Sequence, residues 1–397
     1  MTDLPPLPPP ATDDERWMDR ALALADRGAG TTSPNPMVGA VLVSPAGEVL
    51  GEGHHQRYGG PHAEVHAVRS ATAAHGAEAL RTATLYVTLE PCSHHGKTPP
   101  CADLVLACGI PRVVVGMEDP FPAVAGRGIA RLRAAGVKVE VGVREAACWR
   151  LNEAFVTRVT EGRPLVALKW AQTLDGHVAT RTGSSQWISS RPSRALVHRW
   201  RAEADAVLVG AGTARHDDPA LTVRHVPLAD GQPQPLRVVL DRTGTLPPDL
   251  QLFTDAHAAR TVAVVAEGST PLYGEALSAA GGLVLPTPTV ERDGQPHLDL
   301  LALLRALAAG PGAHLPVQGV LVEPGPGLAT ALLQADLVDR LYAFVAPKLV
   351  GGDGRKAVGP LGVREMAEAL TFAEARWEPV GSDGLLRAYR RARPDHL

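Results

Sequence analysis

Apolar and polar positions in the first 145 residues alternate in a way that predicts strands and helices in turn. Short apolar runs predict buried strands, and apolar residues spaced every three or four positions predict amphipathic helices. The predicted helices are TDDERWMDRALALADRG, PHAEVHAVRSATAAHG, CADLVLACG and GIARLRAAG, and the predicted strands are MVGAVLV, VLGEGHH, TLYVTLE, RVVVGME and VKVEVGV. Thr12 and Glu15 fit a capping box at the start of the first helix. Strands alternating with helices of this length predict a three-layer α/β domain.

A second alternation of the same kind begins after residue 163. Its predicted strands are PLVALKWA, DAVLVG, PLRVVLD, TVAVVAE, GVLVE, DRLYAFVAPK and LLRAYRR, and its helices are RPSRALVHRWRAEA, LDLLALLRALAAG and GLATALLQADLV. Loops at 212–235 and 285–297 are rich in proline and polar residues, and such loops often line a substrate pocket. We therefore expect a poorly ordered Pro-rich tail over 1–12, a first domain over 13–148, a helical linker over 149–163 and a second domain over 164–397.

Composition narrows the kind of protein. The chain has 397 residues, of which 45% are hydrophobic and 20% charged, enough for two cores. The formal net charge of −3 gives no basic field for nucleic acid or anionic membranes. No apolar run approaches the ~20 residues that span a bilayer, and MTDLPPLPPP lacks the basic and apolar regions of a signal peptide. We expect a cytoplasmic protein that acts on small molecules, without nucleic-acid or membrane partners.

Two of the four cysteines, Cys92 and Cys101, lie in TLEPCSHHGKTPPCADL with eight residues between them. They could form a disulfide, pack as core thiols or bind a metal. Zinc nucleobase deaminases combine an H-x-E segment with a later P-C and a further cysteine. His62-Ala63-Glu64 and Pro91-Cys92 match in this order, each at a predicted helix start, where partial positive charge favours a thiolate. The combination favours a zinc site with His62, Cys92 and Cys101 as ligands.

Other histidines and cysteines keep alternatives open. His66 is one helical turn after His62 and is a rival ligand. A fourth protein ligand there would favour a nonenzymatic, zinc-stabilised binding protein, because structural zinc sites use four ligands. His54 and His55 are interpreted as solvated or core histidines. Cys108 and Cys148 are interpreted as core thiols.

Longer segments around these residues resemble one family. TTSPNPMVGAV, PHAEVHA, VTLEPCSHHGKTPPC and AGRGIARLRAAG resemble the deaminase half of the bacterial bifunctional riboflavin-biosynthesis enzymes, over about residues 15 to 145. The resemblance implies a cytidine-deaminase-like fold and hydrolytic deamination of 2,5-diamino-6-ribosylamino-4(3H)-pyrimidinone 5′-phosphate. It implies one Zn²⁺ per chain with a position left for water, Glu64 as the catalytic proton carrier and Asn35 facing the substrate. His94, His95 and Lys97 lie between the cysteines, where substrate contact and plain solvation are both open.

The second half lacks a G-x-G-x-x-G sequence after a strand, so its pattern does not support a Rossmann turn. Its glycine-rich turn in GVLVEPGPGLATALL could hold a phosphate at a helix start, or it could be an ordinary turn. Several arginines nearby could likewise be surface charge. Residue patterns alone leave the chemistry of this half undecided.

Longer segments of the second half also resemble a known family, and this resemblance implies which residues bind substrate and cofactor. LKWAQTLDGHVA, GSSQWIS, DAVLVGAGTARHDDPALTVR, RVVLDRTGTLP and VLVEPGPGLATALLQADLVDRLYAFVAPKLVGG resemble the reductase half of the same family, over nearly all of residues 160 to 393. The resemblance implies a dihydrofolate-reductase-like α/β fold that uses NADPH to reduce the ribosyl group, giving 5-amino-6-ribitylamino-uracil 5′-phosphate. The substrate contacts that it implies are Ser185, Arg201, Leu221, Arg224 and Glu323. The implied NADPH contacts are Ala171, Trp187, Thr213, Asp217, Arg242, Gly325, Pro326, Gly327, Leu328, Ala329, Thr330 and Ala331. Lys169 is the predicted catalytic residue of this half, with Asp175 nearby.

The alternative is a zinc nucleoside or nucleobase deaminase fused to an unrelated folate-type reductase. The eight-residue cysteine spacing and the PNPMVG segment disfavour it. Arg201 and Arg224 also suit a sugar phosphate, because a guanidinium offers paired donors to phosphate oxygens. The resemblance further implies a homodimer or higher homo-oligomer through the reductase domain.

Overall fold

The structure is a computed structural model, which describes residues 6–93, 99–122, 124–292 and 294–390. His94, His95 and Lys97, and the first five residues of the Pro-rich tail, lie outside the described residues. The chain divides into two compact units, one ending at Glu161 and the other beginning at Gly162.

The first unit contains six helices and five strands within its described residues. The helices are α1 (Asp13–Asp26), α2 (Ala63–His75), α3 (Cys101–Ala107), α4 (Arg127–Ala134), α5 (Glu145–Leu151) and α6 (Glu153–Glu161), with a 3₁₀ helix at Ala77–Thr82. The strands are β1 (Gly39–Val43), β2 (Val49–His54), β3 (Thr84–Leu89), β4 (Arg112–Met117) and β5 (Lys138–Val141). Every helix and strand predicted for this half is confirmed. At the start of α1, Thr12 Oγ1 accepts a hydrogen bond from the Glu15 N–H at 3.2 Å, as the capping box predicts.

The strands of the first unit form one mixed sheet in the order β2-β1-β3-β4-β5. β1 is antiparallel to β2 and β3, whereas β3, β4 and β5 are parallel. One face of the sheet carries a core shared with α2, α3 and α4, and the other carries a core shared with α1, α5 and α6. This arrangement is the predicted three-layer α/β domain. It places the carboxyl end of β3 beside the starts of α2 and α3.

The segment 149–163, expected to be a linker, is mostly helix packed into the first unit. Leu151, Phe155 and Val156 are buried in the core that α1 also lines. Asn152 clamps the Met37 backbone, because its Oδ1 accepts from the Met37 N–H at 2.8 Å and its Nδ2 donates to the Met37 carbonyl at 2.9 Å. Both helices of the connector are therefore part of this unit.

The second unit contains six helices and thirteen strands in its described part. The helices are α7 (Arg191–Glu203), α8 (Ala211–Asp217), α9 (Gln251–Thr254), α10 (Gly274–Ala279), α11 (Leu300–Ala309) and α12 (Pro326–Gln334), with 3₁₀ helices at Ala258–Arg260 and Met366–Glu368. The strands are β6 (Leu165–Thr173), β7 (His177–Ala179), β8 (Ala206–Gly210), β9 (Leu236–Leu240), β10 (Thr261–Ala266), β11 (Leu283–Thr287), β12 (Thr289–Arg292), β13 (Gln295–Leu298), β14 (Gly319–Val322), β15 (Arg340–Ala346), β16 (Arg355–Lys356), β17 (Glu374–Val380) and β18 (Asp383–Tyr389).

Nine of these strands form one sheet in the order β11-β10-β9-β8-β14-β6-β15-β18-β17. The seven strands from β11 to β15 are parallel, and β18 and β17 add antiparallel strands at one edge. Separate apolar cores cover the sheet, one with α11 and α12 and the other with α8, α9 and α10. The carboxyl ends of β6, β8 and β14 lie side by side, which is where open α/β sheets bind ligands.

Several short elements of the second unit were not predicted, namely β7, β11, β16, α8, α9 and α10, and α8 includes the first residues of the predicted loop 212–235. Two further segments also differ from the sequence prediction. Residues 285–297, expected to be a loop, contain the end of β11 and an antiparallel hairpin of β12 and β13. β17 was not predicted, because its residues Glu374–Val380 contain few apolar side chains. It pairs with β18 along its whole length, so backbone hydrogen bonding decides its structure rather than burial. Among the described residues, no helix is long and apolar enough to cross a membrane.

Candidate active sites

The three predicted metal ligands converge at the carboxyl end of β3. His62 Nδ1 lies 3.3 Å from Cys101 Sγ and 3.6 Å from Cys92 Sγ, and the three donor atoms all lie within 4.8 Å of one another. Both cysteines are free thiols, so the disulfide interpretation is wrong. His62 precedes α2, Cys101 begins α3, and Cys92 follows β3. The structure has no helix at Cys92 or Ser93, so the prediction of a helix start there is wrong, and the helix start belongs to the second cysteine. Two helix starts and one strand end thus bring together residues that are far apart in sequence.

This donor set fits zinc. Two thiolates and one imidazole are ligands that zinc prefers, and three protein ligands are typical of a catalytic rather than a structural site. Within the described ranges, His66 is not part of the cluster. The interpretation as a four-ligand structural site therefore has no support from these residues.

Burial and hydrogen bonding set the charge states near the cluster. Hydrogen bonds from the Cys101 thiol and from His62 hold the pKa of Cys92 well below its ordinary value, despite its burial. The Cys101 backbone N–H, 3.3 Å from Cys92 Sγ, adds to this effect. Glu64, only 3% exposed in the first turn of α2, has its pKa raised chiefly by burial. The site therefore pairs a stabilised thiolate with a carboxyl group suited to hold a proton.

A cleft of about 340 Å³ opens beside these residues, and Asn35, His55, His62, Glu64 and Cys92 line it. His55 Nδ1 faces the Pro61 carbonyl at 3.0 Å, so Nδ1 carries the proton. His55 Nε2 then accepts a hydrogen bond from Asn35 Nδ2 at 3.1 Å. Burial lowers the pKa of His55, which keeps the ring neutral. His55 thus orients Asn35, a role that sequence reasoning missed because it depends on contacts twenty residues apart.

Glu90, which precedes Pro91-Cys92, was also not identified as a site residue from the sequence. Its buried carboxylate accepts four backbone hydrogen bonds: Oε2 from Asp119 at 3.2 Å and Gly126 at 2.9 Å, and Oε1 from Gly128 at 2.8 Å and Ile129 at 3.2 Å. A Cβ at Gly128 would collide with the Pro91 carbonyl oxygen. The start of α4 is therefore clamped against the segment that carries Cys92.

Asp119 is a second buried carboxyl group at this cleft. Its Oδ1 accepts from the Phe121 N–H at 2.8 Å. Burial raises the pKa of Asp119 to about 6, with the negative charges of Glu90 and Cys92 adding to the effect. The helix α6 completes the wall with Phe155 and Arg158.

The second unit has a larger cleft, of about 1010 Å³, at the carboxyl ends of its central strands. Glu323 follows β14 directly, Lys169 lies on β6 and Arg201 on α7. Arg201 Nε donates to Glu323 Oε1 at 2.6 Å, and Lys169 Nζ lies 3.8 Å from Glu323 Oε2. Sequence reasoning named all three residues, and the structure brings them into contact.

The three charges perturb one another. Burial by itself would raise the pKa of Glu323, but the positive charges of Arg201 and Lys169 hold it at about 2. Burial lowers the pKa of Lys169, an effect that the Glu323 carboxylate opposes. Lys169 is therefore closer to releasing a proton than an ordinary lysine, which suits an acid in catalysis.

The other predicted reductase residues fall into two groups. The cleft is lined by all five predicted substrate residues, and by eight of the predicted cofactor residues: Ala171, Trp187, Thr213, Asp217, Gly325, Pro326, Gly327 and Leu328. The described residues that line it do not include Arg242, Ala329, Thr330 or Ala331. Asp175 is also absent from the lining, because its carboxylate accepts from the Val350 and Gly351 N–H groups and anchors that loop. Of the two predicted pocket loops, 212–235 contributes residues, and the described residues of 285–297 do not.

His198 on α7 was not predicted as a site residue. Its Nδ1 accepts from the Arg224 N–H at 3.1 Å, and its ring packs edge-on against His225 at 4.4 Å between centroids. Burial, aided by the charge of Arg201, lowers the pKa of His198 to about 4. The neutral ring therefore fixes the backbone of Arg224 beside Arg201. An amphipathic helix pattern does not distinguish such a residue from an ordinary buried histidine.

Comparison with known protein families divides the chain in the same way. Residues 11–117 match the cytidine and deoxycytidylate deaminase zinc-binding region. Residues 164–386 match the RibD C-terminal domain.

Whole proteins also match nearly end to end. The riboflavin biosynthesis protein RibD of Aquifex aeolicus (strain VF5) is 42% identical over 370 residues, which cover 93% of this chain and 96% of that protein. RibD of Escherichia coli (strain K12) is 42% identical over 382 residues, covering 93% and 97%. Among solved structures, Acinetobacter baumannii RibD superposes with a TM-score of 0.83 at 36% identity, covering 95% of this chain and 98% of that one. The diaminohydroxyphosphoribosylaminopyrimidine deaminase/5-amino-6-(5-phosphoribosylamino)uracil reductase of Thermotoga maritima has a TM-score of 0.78 at 35% identity, with the same coverage.

Proposed function

The chain belongs to the RibD family of riboflavin biosynthesis proteins, and from that membership we propose which residues carry out its two reactions. It is a bifunctional enzyme, with a zinc-binding deaminase domain followed by a reductase domain. The observation that carries the site assignment is the convergence of His62, Cys92 and Cys101 beside the buried Glu64. The deaminase domain of this proposal includes α5 and α6, because both pack in its core.

The first reaction is deamination of 2,5-diamino-6-ribosylamino-4(3H)-pyrimidinone 5′-phosphate. His62, Cys92 and Cys101 hold one zinc ion per chain, which when bound lowers the pKa of a coordinated water toward about 7. Glu64 takes one proton from the attacking water and delivers it to the ring nitrogen. It then carries a second proton, from the newly added hydroxyl group, to the amine, which leaves as ammonia while the carbonyl forms. Its raised pKa supports this role, because the carboxyl group must hold the proton between the two transfers. Asn35, oriented by His55, faces the substrate.

The second reaction is NADPH-dependent reduction of the ribosyl group to ribityl. NADPH would supply the hydride when bound. The residues that would hold it are Ala171, Trp187, Thr213, Asp217 and the turn from Gly325 to Leu328, all of which line the cleft. Lys169 donates a proton to the substrate, which its lowered pKa favours. Arg201 and Arg224 bind the 5′-phosphate, and Ser185, Leu221 and Glu323 complete the substrate site. Contacts of NADPH with Arg242, Ala329, Thr330 and Ala331 stay predictions.

The enzyme works in the cytoplasm, where reducing conditions keep Cys92 and Cys101 available to the metal.

The enzyme forms a homodimer or higher homo-oligomer through the reductase domain. The end position of β17 in the nine-stranded sheet and the 64% exposure of Trp377 on it support self-association there. Light scattering on the purified protein tests the oligomeric state.

A two-step assay tests the proposed function. Purified protein with its zinc content measured is given the diaminopyrimidine ribosyl phosphate, first without and then with NADPH. We expect ammonia release without NADPH, and NADPH oxidation only after deamination has occurred. Ammonia release that persists in metal-stripped protein, or NADPH oxidation that precedes deamination, would contradict the assignment.

A further inference from the structure

The deaminase substrate carries a phosphate group with a charge of about −1.5 to −2 near neutral pH. The cleft that must receive it is lined by three acidic residues, Glu64, Glu90 and Asp119. Among the described residues that line this cleft, Arg158 is the one lysine or arginine. A phosphate placed in such a cleft needs a cation beside it, because the carboxylates alone would repel it.

Arg158 lies on α6, which the packing of the first unit holds in place. Phe155, one turn earlier, lines the same cleft, and both Phe155 and Val156 are buried in the core. Immediately before α6, Asn152 holds the Met37 backbone through two hydrogen bonds, at 2.8 and 2.9 Å. Met37 is two residues after Asn35, which the proposed function assigns to the substrate. α6 and the residue directly before it therefore fix both Arg158 and the loop that carries Asn35.

We propose that Arg158 binds the 5′-phosphate of the deaminase substrate, which makes the helix before the reductase domain a part of the deaminase active site. This inference rests on the proposed deaminase function. A guanidinium donates paired hydrogen bonds to phosphate oxygens, and such binding of a non-reacting group orients the pyrimidine for attack. Arg158 is half-buried, so its contact with phosphate is partly shielded from water.

The test uses Arg158→Gln and Arg158→Lys in the full chain. Each variant is assayed for deamination of the phosphorylated substrate and of the same compound without its phosphate. We expect Arg158→Gln to lower kcat/KM for the phosphorylated substrate about 10- to 100-fold, mainly through KM, because one charge-assisted contact is lost. Deamination of the compound without phosphate should be unchanged, and Arg158→Lys should recover part of the loss because it keeps the charge.

Three controls make the result decisive. Arg81→Gln removes an exposed arginine outside the cleft, which pairs with Glu78, and should leave both substrates unaffected. Zinc content and reductase activity, measured on the same preparations, report any loss of folding. Lys97→Gln tests the competing cation on the loop between the cysteines.

The outcomes are distinguishable. Equal losses for the two compounds in Arg158→Gln would mean a structural role and would overturn the proposal. Preference for the phosphorylated compound that survives Arg158→Gln but disappears in Lys97→Gln would also overturn it. A wild-type protein that deaminates neither compound would overturn the proposed function itself.

Discussion

Replacing Glu90 by glutamine should destabilise the deaminase domain, although the two side chains have nearly the same shape. Each carboxylate oxygen of Glu90 accepts two backbone N–H groups, from Asp119 and Gly126 on one side and from Gly128 and Ile129 on the other. An amide has one accepting oxygen and one NH₂ group. In either orientation, the substituted side chain would turn its NH₂ toward two buried donors and leave them unsatisfied.

The expected loss of unfolding free energy follows from the number of backbone donors that lose their acceptor. Each buried donor left without a partner costs about 1–3 kcal/mol, so two cost about 2–6 kcal/mol. With a urea m-value of about 1–3 kcal/mol per molar, a loss near the middle of that range lowers the unfolding midpoint by more than about 1 M. The clamp also holds α4 against the segment that carries Cys92, so zinc should be lost more readily.

The assay is a urea titration of the full chain, in which a chromophoric chelator reports zinc release from the deaminase domain. Reductase activity in the same samples reports the second domain and should keep the wild-type midpoint. Glu118→Gln is the matched control, because Glu118 is exposed and is the sequence neighbour of Asp119, one of the four donors to Glu90. Substitutions of exposed residues usually change the free energy of unfolding by no more than about 0.5 kcal/mol. An equally small effect of Glu90→Gln would refute the reasoning.

Four further predictions address the two sites. Glu64→Gln should lower deamination about 100- to 10,000-fold through loss of the proton carrier, while zinc content by mass spectrometry and reductase activity stay unchanged. Cys92→Ser should abolish zinc retention in the same measurement, whereas Cys108→Ser, outside the cluster, should keep one zinc per chain. Arg201→Met should raise the reductase KM about 10- to 100-fold, because a charge-assisted phosphate contact is lost; unchanged steady-state kinetics would argue against that contact. His198 has a pKa lowered to about 4 from its ordinary 6.5, so its stabilisation is complete above pH 6.5 and is lost as the pH falls toward 4. His198→Gln should reduce this acid sensitivity of the reductase domain in urea titrations, and an identical pH profile would contradict it.

Most of the fold could be predicted from the sequence because most elements are long, strongly apolar and bounded by glycine or proline. β8 and β14 are continuous runs of apolar residues and glycine, and β3 and β4 are mostly apolar, which predicts strands buried on both faces of a sheet. β17 could not be found in this way, since its hydrogen bonds to β18, rather than its side chains, determine its structure. The hairpin of β12 and β13 could not be predicted for a similar reason: most of its residues are exposed or half-buried, so no apolar run marks the two strands.

The proposed zinc ligands and Glu64 could be selected from the chain itself, because their chemistry requires particular residue types in a particular order. The roles of His55, Glu90 and His198 could not, because each depends on which backbone or side-chain group a distant segment places beside it. Arg158 belongs with them, since a periodic helical pattern describes α6 equally well as a linker or as the wall of an active site. Sequence determined most of the elements and the reactive groups. The packing of α6 and the clamp at Glu90 were decided by tertiary structure, because hydrogen-bond partners and burial exist only after distant segments have met.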